Sequence, residues 1–567
     1  MRRWVWAAIL AVMVAAVVMR FLPLLQFSVW GSDSGEYYLL TKRLVGDSAL
    51  YTGYSGWGFG YPYFPGMFLL TGEVALLTGI GVFSSMLWVA PFVACLSVLV
   101  ILLITLRAFD DIRAGILAGA LLAVCTPSVF STSHPIPGGI GDLLALMCIL
   151  LLLKTLEKRL AAPLLILSSL ALVMTHHLSV FFVIVPVLFA LLGREILRVR
   201  TDSLRTRVEG GYLVLILSLT FLYWYVYAVP FRDRVIPEGF GISPWAVLAL
   251  AYASLLAIPL LVILRRRMWP EKLYRPAFPS LKRVLATYTI FVTAGTLIMA
   301  AVALLSSPGT AISVDWTAAY WFLPMVFMLG LSVAGVGRAE YSSDGVFVML
   351  WMAAIGLTML FATATSNHVI LPYRQTQYLI EPLAVLMGAG AVFLHDHLNL
   401  DRQKLKAVAA AGLLAGGLLL CAVTAYPPRG IMGGFEEGTT AGEMDSVFWL
   451  REQARGTGLL ATDHRMSSMI FGFAGINASW DDAFDTLHGN LTEANVEMAG
   501  LETPSGRHAV SMVLLDPAIE RGVALKQWET ARPLSDTAKA KFSSEFFTKF
   551  YEAGGVRIYL VDQENIG

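Results

Sequence analysis

The sequence contains little cysteine and little charge. Only four cysteines occur in 567 residues, and all of them lie in apolar segments: Cys95, Cys125, Cys148 and Cys421. This placement indicates small buried apolar residues, not a disulfide framework or a zinc site. Charged residues make up 14% of the chain and the net charge is +1. The composition therefore gives no electrostatic basis for binding nucleic acid.

Two further features are missing. No internal repeat is visible, so an inverted-repeat transporter has no support. No A-x-A cleavage site follows the apolar run Trp4 to Phe27, which is also too long for a signal peptide. We therefore expect a first transmembrane helix that acts as an anchor.

Long apolar segments are abundant: 57% of the residues are hydrophobic and the mean hydropathy is +0.68. Both values are typical of a polytopic membrane protein. Candidate spans lie near 4–28, 82–106, 114–131, 141–155, 161–178, 179–193, 211–230, 243–264, 284–305, 316–336, 345–363, 378–394 and 407–425. The predicted fold is a polytopic α-helical membrane protein with about thirteen transmembrane helices.

The charge pattern predicts the orientation. With a cytoplasmic N-terminus, the inner connections hold 23 Lys and Arg residues and the outer ones hold five: Lys42, Arg43, Arg232, Arg234 and Arg374. The positive-inside rule favours this orientation. Thirteen crossings then place the C-terminal region outside the cytoplasm.

The chain changes character after the last span. Pro427-Pro428 and Gly433-Gly434 form a linker, which predicts a transmembrane domain over 1–426 and an extracytoplasmic α/β domain over 427–567. Within the latter, 458–462 and 510–516 are predicted to be buried strands. Residues 549–562 are predicted to form a hairpin that turns at Gly554-Gly555.

Two carboxylates follow the first span, in the stretch Gly31-Ser-Asp33-Ser-Gly-Glu36. A carboxylate at the outer membrane face can take a proton from an acceptor or bind a metal that neutralises a phosphate. Alternatively, Ser32 or Asp33 caps a helix over 35–45, with Glu36 as the acidic partner in an arrangement like a capping box. The two interpretations are compatible.

Three segments carry a resemblance to a known family. They are Arg20-Phe-Leu-Pro with the acidic stretch after it, Gly60-Tyr-Pro62-Tyr-Phe-Pro65-Gly66, and Tyr373-Arg374-Gln-Thr-Gln-Tyr378. Together with the predicted layout, they resemble GT-C membrane glycosyltransferases, most closely the catalytic subunit of oligosaccharyltransferase. The resemblance implies that Asp33 is the base or a metal ligand and that Arg374 binds lipid phosphate.

The chain also departs from that family. Of the second acidic motif only Asp142 remains, displaced within the segment from His134, and Asp315 is a stand-in for a later acidic residue. The WWDYG motif that reads the acceptor sequon is missing. The matching region reads Thr462-Asp463-His464-Arg465-Met466. These differences leave the nature of the acceptor open.

Other polar residues remain candidates. Arg20 either extends to the interface or pairs with Asp33 or a substrate phosphate. His134, His176 and His177 either contact substrate or mark polar helix ends. Metal ligation by Asp33, Asp142 and Asp315, with Mg²⁺ or Mn²⁺, stands beside a metal-independent site in which Asp33 is the base.

The resemblance implies transfer of a sugar or glycan from a polyprenyl (dolichyl) phosphate or pyrophosphate to an extracytoplasmic protein, glycan or lipid acceptor. Asp33 and Glu36 are the predicted catalytic residues. Arg374, Arg20, His134, His176 and His177 are the predicted substrate-binding residues. Membrane lipids surround the protein and no nucleic acid is involved. The alternatives are a non-catalytic GT-C-fold protein that binds a lipid-linked glycan or a partner protein, and, with less support, a transporter.

Overall fold

The structure is a computed structural model. It describes residues 3–47, 54–158, 160–197, 203–254, 257, 316–365, 372–397, 403–429, 434–454, 456, 458–523, 525 and 531–562. Asp315, the predicted span 284–305 and much of the span 243–264 lie outside these residues. The predicted total of thirteen spans therefore stays a prediction.

Helices dominate the first three quarters of the chain. They are α1 (Arg3–Phe21), α2 (Ser34–Asp47), α3 (Gly66–Thr78), α4 (Val82–Ala94), α5 (Ser97–Phe109), α6 (Ile112–Val124), α7 (Thr126–Thr132), α8 (Pro137–Thr155), α9 (Ala161–Thr175), α10 (His177–Leu197), α11 (Ser203–Val226), α12 (Val229–Phe240), α13 (Trp316–Ala339), α14 (Ser343–Ala364), α15 (Pro372–His397) and α16 (Gln403–Val423). Seven stretches in the described residues are long and apolar enough to cross a membrane, or nine if each of two bent helix pairs is one span. Buried aliphatic side chains of α5, α6, α8, α10, α14 and α15 form the main core of this bundle.

One bent pair is explained by a proline and an arginine. Helices α6 and α7 meet at an angle of 58° at Cys125, whose backbone is extended. Pro127 has no N–H to donate to the Ala123 carbonyl, so that carbonyl is left without its helical partner. The guanidinium of Arg20 donates to this carbonyl at 3.4 Å, and also to Ser128 Oγ at 3.0 Å and Thr132 Oγ1 at 2.7 Å. Arg20 is fully buried and stabilises the bend.

The C-terminal region mixes short helices with sheets. Its helices are α17 (Ala441–Gln453), α18 (His464–Met469), α19 (Phe484–His488), α20 (Leu491–Met498), α21 (Pro517–Arg521) and α22 (Asp536–Ala540). Strands β3 (Leu459–Ala461), β6 (Val510–Leu515), β7 (Phe547–Ala553) and β8 (Val556–Val561) form one sheet in the order β3-β6-β8-β7, and β4 (Leu501–Thr503) pairs with β5 (Gly506–His508).

The strand predictions for this region agree with the structure. Strands β3 and β6 fall within the predicted buried runs and pair in parallel. Along β6, Val513 and Leu515 pack on one face of the sheet while Met512 and Leu514 pack on the other, which explains the continuous apolar pattern. The β7–β8 hairpin turns at Gly554 and Gly555, whose φ angles of 60° and 82° suit glycine.

The two parts of the chain are joined by a small sheet. Strand β1 (Val29–Trp30), just after α1, pairs antiparallel with β2 (Gly438–Thr439). The N–H of Ser32 donates to Glu437 Oε2 at 2.7 Å. This pairing holds the first loop, which is the segment 22–65 between α1 and α3 and includes α2, against the C-terminal region. The boundary between domains 1–426 and 427–567 remains a prediction.

Candidate functional site

Asp33 lies at the centre of a hydrogen-bond network between the first loop and the C-terminal region. Its Oδ2 accepts from the hydroxyl groups of Tyr61 at 2.7 Å and Tyr37 at 3.2 Å. Its Oδ1 lies 2.8 Å from His464 Nε2. About a fifth of the Asp33 side chain, 21%, is exposed. The carboxylate is thus held firmly but stays accessible just before the start of α2.

A second carboxylate extends this network. His464 Nδ1 lies 2.9 Å from Asp481 Oδ1, so the imidazole bridges two carboxylates. The ring is 12% exposed and stands edge-on to Trp57 at a centroid distance of 4.7 Å. The result is a chain of charges, Asp33–His464–Asp481, beside an aromatic wall.

The surroundings of Asp33 and His464 favour the charged form of each. Burial alone would raise the pKa of Asp33, but the hydrogen bond and charge of His464, with the Tyr61 and Tyr37 hydroxyls, lower it to about 2. Burial alone would lower the pKa of His464, but the charge of Asp481 and the hydrogen bonds and charge of Asp33 hold it well above its ordinary value. At neutral pH the pair is therefore a carboxylate and an imidazolium.

Glu36 occupies a different environment. Its side chain is fully buried and accepts hydrogen bonds from the Tyr54 hydroxyl and, at 3.2 Å, from the Gly58 N–H. Burial and then the charge of Asp33 raise the pKa of Glu36 to about 7. Two carboxyls three residues apart thus differ in ionisation, as occurs where one fold needs both an acid and a base.

Capping contributes little to the position of these acids. The structure starts α2 at Ser34, and the described partners of the Asp33 carboxylate are His464, Tyr61 and Tyr37. The buried Glu36 side chain contacts Tyr54 and Gly58 and does not close a capping box with Ser32 or Asp33 among the described hydrogen bonds. The tertiary contacts, not a helix cap, orient both side chains.

The histidines and Arg374 belong to a neighbouring cluster. His176 Nδ1 bonds Ser179 Oγ at 2.8 Å, and Ser179 Oγ bonds the Tyr378 hydroxyl at 2.8 Å. The ring of His177 packs on Phe64 at 5.1 Å. Arg374, at the exposed start of α15, lies close enough to act on both histidines electrostatically.

Two loop segments connect this cluster with Asp33. In the segment 60–66, Tyr61 contacts Asp33 while Phe64 contacts His177. In the segment 134–141, His134 lies against Gly31, and Gly141 lies against His176. The Nδ1 of His134 is buried and has no hydrogen-bond partner among the residues that the structure describes. The predicted substrate-binding residues His134, His176, His177 and Arg374 thus lie near two loop segments that reach the surroundings of Asp33. Arg20 is separate, because its described hydrogen bonds lie at the α6–α7 bend and not with Asp33.

Asp142 is buried away from Asp33. It is 3% exposed, and its side-chain neighbours are Glu381 and Gln377 of α15. A divalent cation needs several converging oxygen or nitrogen ligands. Within the described residues, no three His, Cys, Asp or Glu side chains are placed to hold a metal ion. The described neighbours of the Asp33 carboxylate are two tyrosine hydroxyls and an imidazole, a set poor in the carboxylate oxygens that Mg²⁺ and Mn²⁺ prefer. Metal binding that involves Asp315 stays a prediction, because Asp315 lies outside the described residues.

Sequence reasoning missed His464 and Asp481. The only available signal was position: His464 follows the predicted strand at 458–462, in the region that matches WWDYG. Arg465, next to it, is buried and pairs with Glu443 at 2.8 Å and with Asp516 at 2.5 Å. These ion pairs fix the start of α18 and hence the direction of the His464 side chain.

The overall structure of this chain is similar to solved structures, although its sequence matches no known family. Sequence comparison finds no matching protein family and no matching curated protein. Among solved structures, the oligosaccharyltransferase of Archaeoglobus fulgidus with a tethered acceptor peptide matches at a TM-score of 0.61 and 13% identity, over 100% of this chain and 75% of that one. The same archaeal enzyme, AglB, has been solved with an inhibitory peptide and a dolichol-phosphate.

Two further structures share the arrangement. ArnT from Cupriavidus metallidurans, bound to undecaprenyl phosphate, matches at a TM-score of 0.51 and 13% identity, over 98% of this chain and 97% of that one. The mycobacterial arabinofuranosyltransferase AftD matches at 0.50 and 14% identity, over 99% of this chain and 40% of that one. At 13–14% identity, the comparisons show the fold of this chain and not its activity. The chain is an integral membrane protein with the GT-C fold, and its structure resembles that of oligosaccharyltransferase.

Proposed function

We propose that this protein transfers a sugar or glycan from a polyprenyl phosphate or pyrophosphate to an acceptor on the extracytoplasmic side of the membrane. The observation that carries the proposal is the partly exposed Asp33 carboxylate, which Tyr61, Tyr37 and His464 hold just before α2 in a GT-C fold. Solved proteins of this fold bind dolichol-phosphate and undecaprenyl phosphate, which supports the same class of donor here.

The reaction assigns a role to each part of the site. The acceptor oxygen or nitrogen attacks the anomeric carbon of the sugar, and the bond from that carbon to the phosphate oxygen breaks. The phosphate leaves with the bonding electron pair, and the acceptor's proton passes to Asp33. A carboxylate of low pKa accepts this proton only as the new bond forms, when the acceptor proton becomes acidic, and then gives it up to phosphate or water.

Arg374 is the proposed ligand of the donor phosphate. A guanidinium presents two parallel N–H donors that match phosphate oxygens. His176 and His177 line the same side of the site. The acceptor approaches from the side of the C-terminal region, which supplies His464 and Asp481.

The orientation belongs to the proposal as well. A cytoplasmic N-terminus and an extracytoplasmic C-terminal region put Asp33, Arg374 and His464 on the outer face. The charge bias between the connecting loops supports this arrangement.

The test uses cells that produce the wild type, Asp33→Asn or no protein. Extracted lipids are analysed by mass spectrometry for polyprenyl-linked sugars. We expect one lipid-linked sugar to accumulate without the protein and with Asp33→Asn, and to fall to a low level with the wild type. Equal lipid-linked sugar pools in the three strains would refute the proposal.

A second candidate is a non-catalytic protein that binds a lipid-linked glycan. One observation favours it: both oxygens of Asp33 already accept hydrogen bonds within the protein. A binder would retain a lipid-linked sugar through purification and leave it intact on incubation with cell-surface acceptors. Release of free polyprenyl phosphate by the wild type, and not by Asp33→Asn, distinguishes the transferase.

A further inference from the structure

We propose that His464 is a positioning residue that occupies the place of a metal ion on Asp33, so that transfer by this protein requires no divalent cation. The inference rests on the proposed function and deepens it. It assigns the task of orienting the catalytic carboxylate, and of offsetting its charge, to a side chain of the C-terminal region.

The hydrogen-bond geometry carries the first step. The two ring nitrogens of His464 face Asp33 Oδ1 at 2.8 Å and Asp481 Oδ1 at 2.9 Å. An ionised carboxylate only accepts hydrogen bonds, so both nitrogens must donate. An imidazole that donates from both nitrogens carries a positive charge. The bridge is therefore a fixed cation between two anions.

The second step concerns the direction of Asp33. Its Oδ1 is taken by His464, while Tyr61 and Tyr37 hold Oδ2. Hydrogen bonds at both oxygens leave the carboxylate a single orientation, which is what a metal ligand also achieves. The exposed part of Asp33 then points at the acceptor without a cation between them.

The backbone conformation of the residue before Asp481 supports a specific position for Asp481. Trp480, the residue before it, has a φ of 56°, a left-handed conformation that is strained for a bulky side chain. Hydrogen bonds hold this backbone: Trp480 N–H donates to Ser467 Oγ at 3.0 Å, and Ser479 N–H donates to the Leu460 carbonyl at 3.0 Å. The strained turn directs Asp481 back to His464.

The third step is the charge at the site. Without His464, Asp33 and Asp481 would place two negative charges next to a phosphate leaving group. The imidazolium halves that charge, and its burial beside Trp57 and Trp480 keeps water from weakening the interaction. In the described residues no other cationic side chain contacts Asp33, so His464 alone supplies this charge from within the site.

The experiment compares purified full-length wild type, His464→Gln and Asp481→Asn. The control is His508→Gln, since His508 lies in the same region, is only half-buried, and its side chain bonds Ser505 among the described residues. Release of polyprenyl phosphate from the donor found in the accumulation experiment is followed with and without EDTA. We expect the wild type and the control to be equally active with EDTA. We expect His464→Gln to lose roughly 10- to 100-fold in kcat with little change in KM for the donor.

Two readouts separate positioning from mere stability. The thermal unfolding of His464→Gln is compared with that of the control. Smaller cations, imidazole and guanidinium, are added to His464→Ala, and we expect them to restore part of the lost rate. Loss of the wild-type rate in EDTA with recovery by Mn²⁺, or full activity of His464→Gln, would overturn the inference.

Mn²⁺ binding, measured by electron paramagnetic resonance, tests the inference without any turnover. We expect the amount of bound Mn²⁺ to be the same in the wild type and in Asp33→Asn. An Mn²⁺ site that depends on Asp33 would disprove the role of His464 even if the enzyme were active. If the wild type binds no Mn²⁺ at Asp33 and also shows no turnover, the proposed function is refuted but the inference about His464 is not.

Discussion

Gly35, in the first turn of α2, and Gly472, in the C-terminal region, bring two backbones into direct contact. A Cβ atom at Gly35 would lie 1.9 Å from the Ser468 carbonyl oxygen, and one at Gly472 would lie 2.0 Å from the carbonyl oxygen of Gly35. Neither backbone could yield without separating α2 from the π-helical turn Ile470–Ala474. Asp33 and His464 are close together because these two glycines permit the approach.

Gly35→Ala should disrupt this contact. We expect a loss of stability of about 1–3 kcal/mol, since the added methyl group overpacks a backbone contact. Gly46→Ala, on the same helix with open space around it, is the matched control and should be neutral or slightly stabilising. Thermal unfolding of the purified proteins measures both. Equal melting temperatures for the two variants would contradict the packing argument.

Asp33→Asn should abolish turnover and leave the protein folded. Asparagine matches the shape of aspartate but cannot accept the acceptor's proton, so we expect a loss of about 100-fold or more. Glu36→Gln should lose less, because the Glu36 side chain is fully buried and its described hydrogen bonds are to Tyr54 and Gly58. Release of polyprenyl phosphate measures both rates. Turnover by Asp33→Asn at the wild-type rate would make the acids at the membrane edge structural.

The raised pKa of Glu36 predicts a pH dependence of stability. The pKa is about 7 in the folded protein against an ordinary value of 4.5. The folded state therefore holds the proton more tightly, and this contribution is present below pH 4.5 and is lost as the pH rises to 7. We expect a decrease of roughly 3 kcal/mol across this window. Glu36→Gln should remove this part of the pH dependence, and identical pH profiles of unfolding for wild type and variant would contradict it.

Arg374→Lys should weaken donor binding although the charge is kept, because lysine lacks the planar pair of donors that fits phosphate. Arg374→Ala should weaken it further. Arg234→Ala is the control, since Arg234 is another predicted outer-loop arginine and is paired with Glu238. Binding of a polyprenyl phosphate to protein in nanodiscs gives the affinities. Unchanged affinity in Arg374→Ala would remove Arg374 from the site.

The orientation can be tested with single cysteines. The four native cysteines are buried, so background labelling should be low. A cysteine in place of exposed Ser505, at the β4–β5 turn, should react with an impermeant reagent applied to intact cells. A cysteine in place of exposed Lys158, in a predicted inner connection, should react only after the membrane is opened. The reverse pattern would place the site on the cytoplasmic side.

Local patterns in the sequence were enough for much of the architecture. The apolar run after Trp4 predicts α1, and Gly554-Gly555 between two alternating segments predicts the β7–β8 hairpin, since turn chemistry and hydrophobic period are properties of neighbouring residues. The acids Asp33 and Glu36 could be located at a membrane edge for the same reason. Their position follows from the length of the span before them.

Contacts between distant residues were decided only by the tertiary structure. His464 is 431 positions from Asp33, and no local pattern pairs them. Arg20 was expected to extend to the interface or to pair with Asp33 or a phosphate. Its described hydrogen bonds are at the α6–α7 bend, where it satisfies the carbonyl that Pro127 leaves open, and not with Asp33. The sequence by itself determined where the ionisable groups lie along the chain and predicted the membrane face on which they lie. Which groups meet was determined by packing, because a buried charge takes whichever partner the fold brings within hydrogen-bond distance.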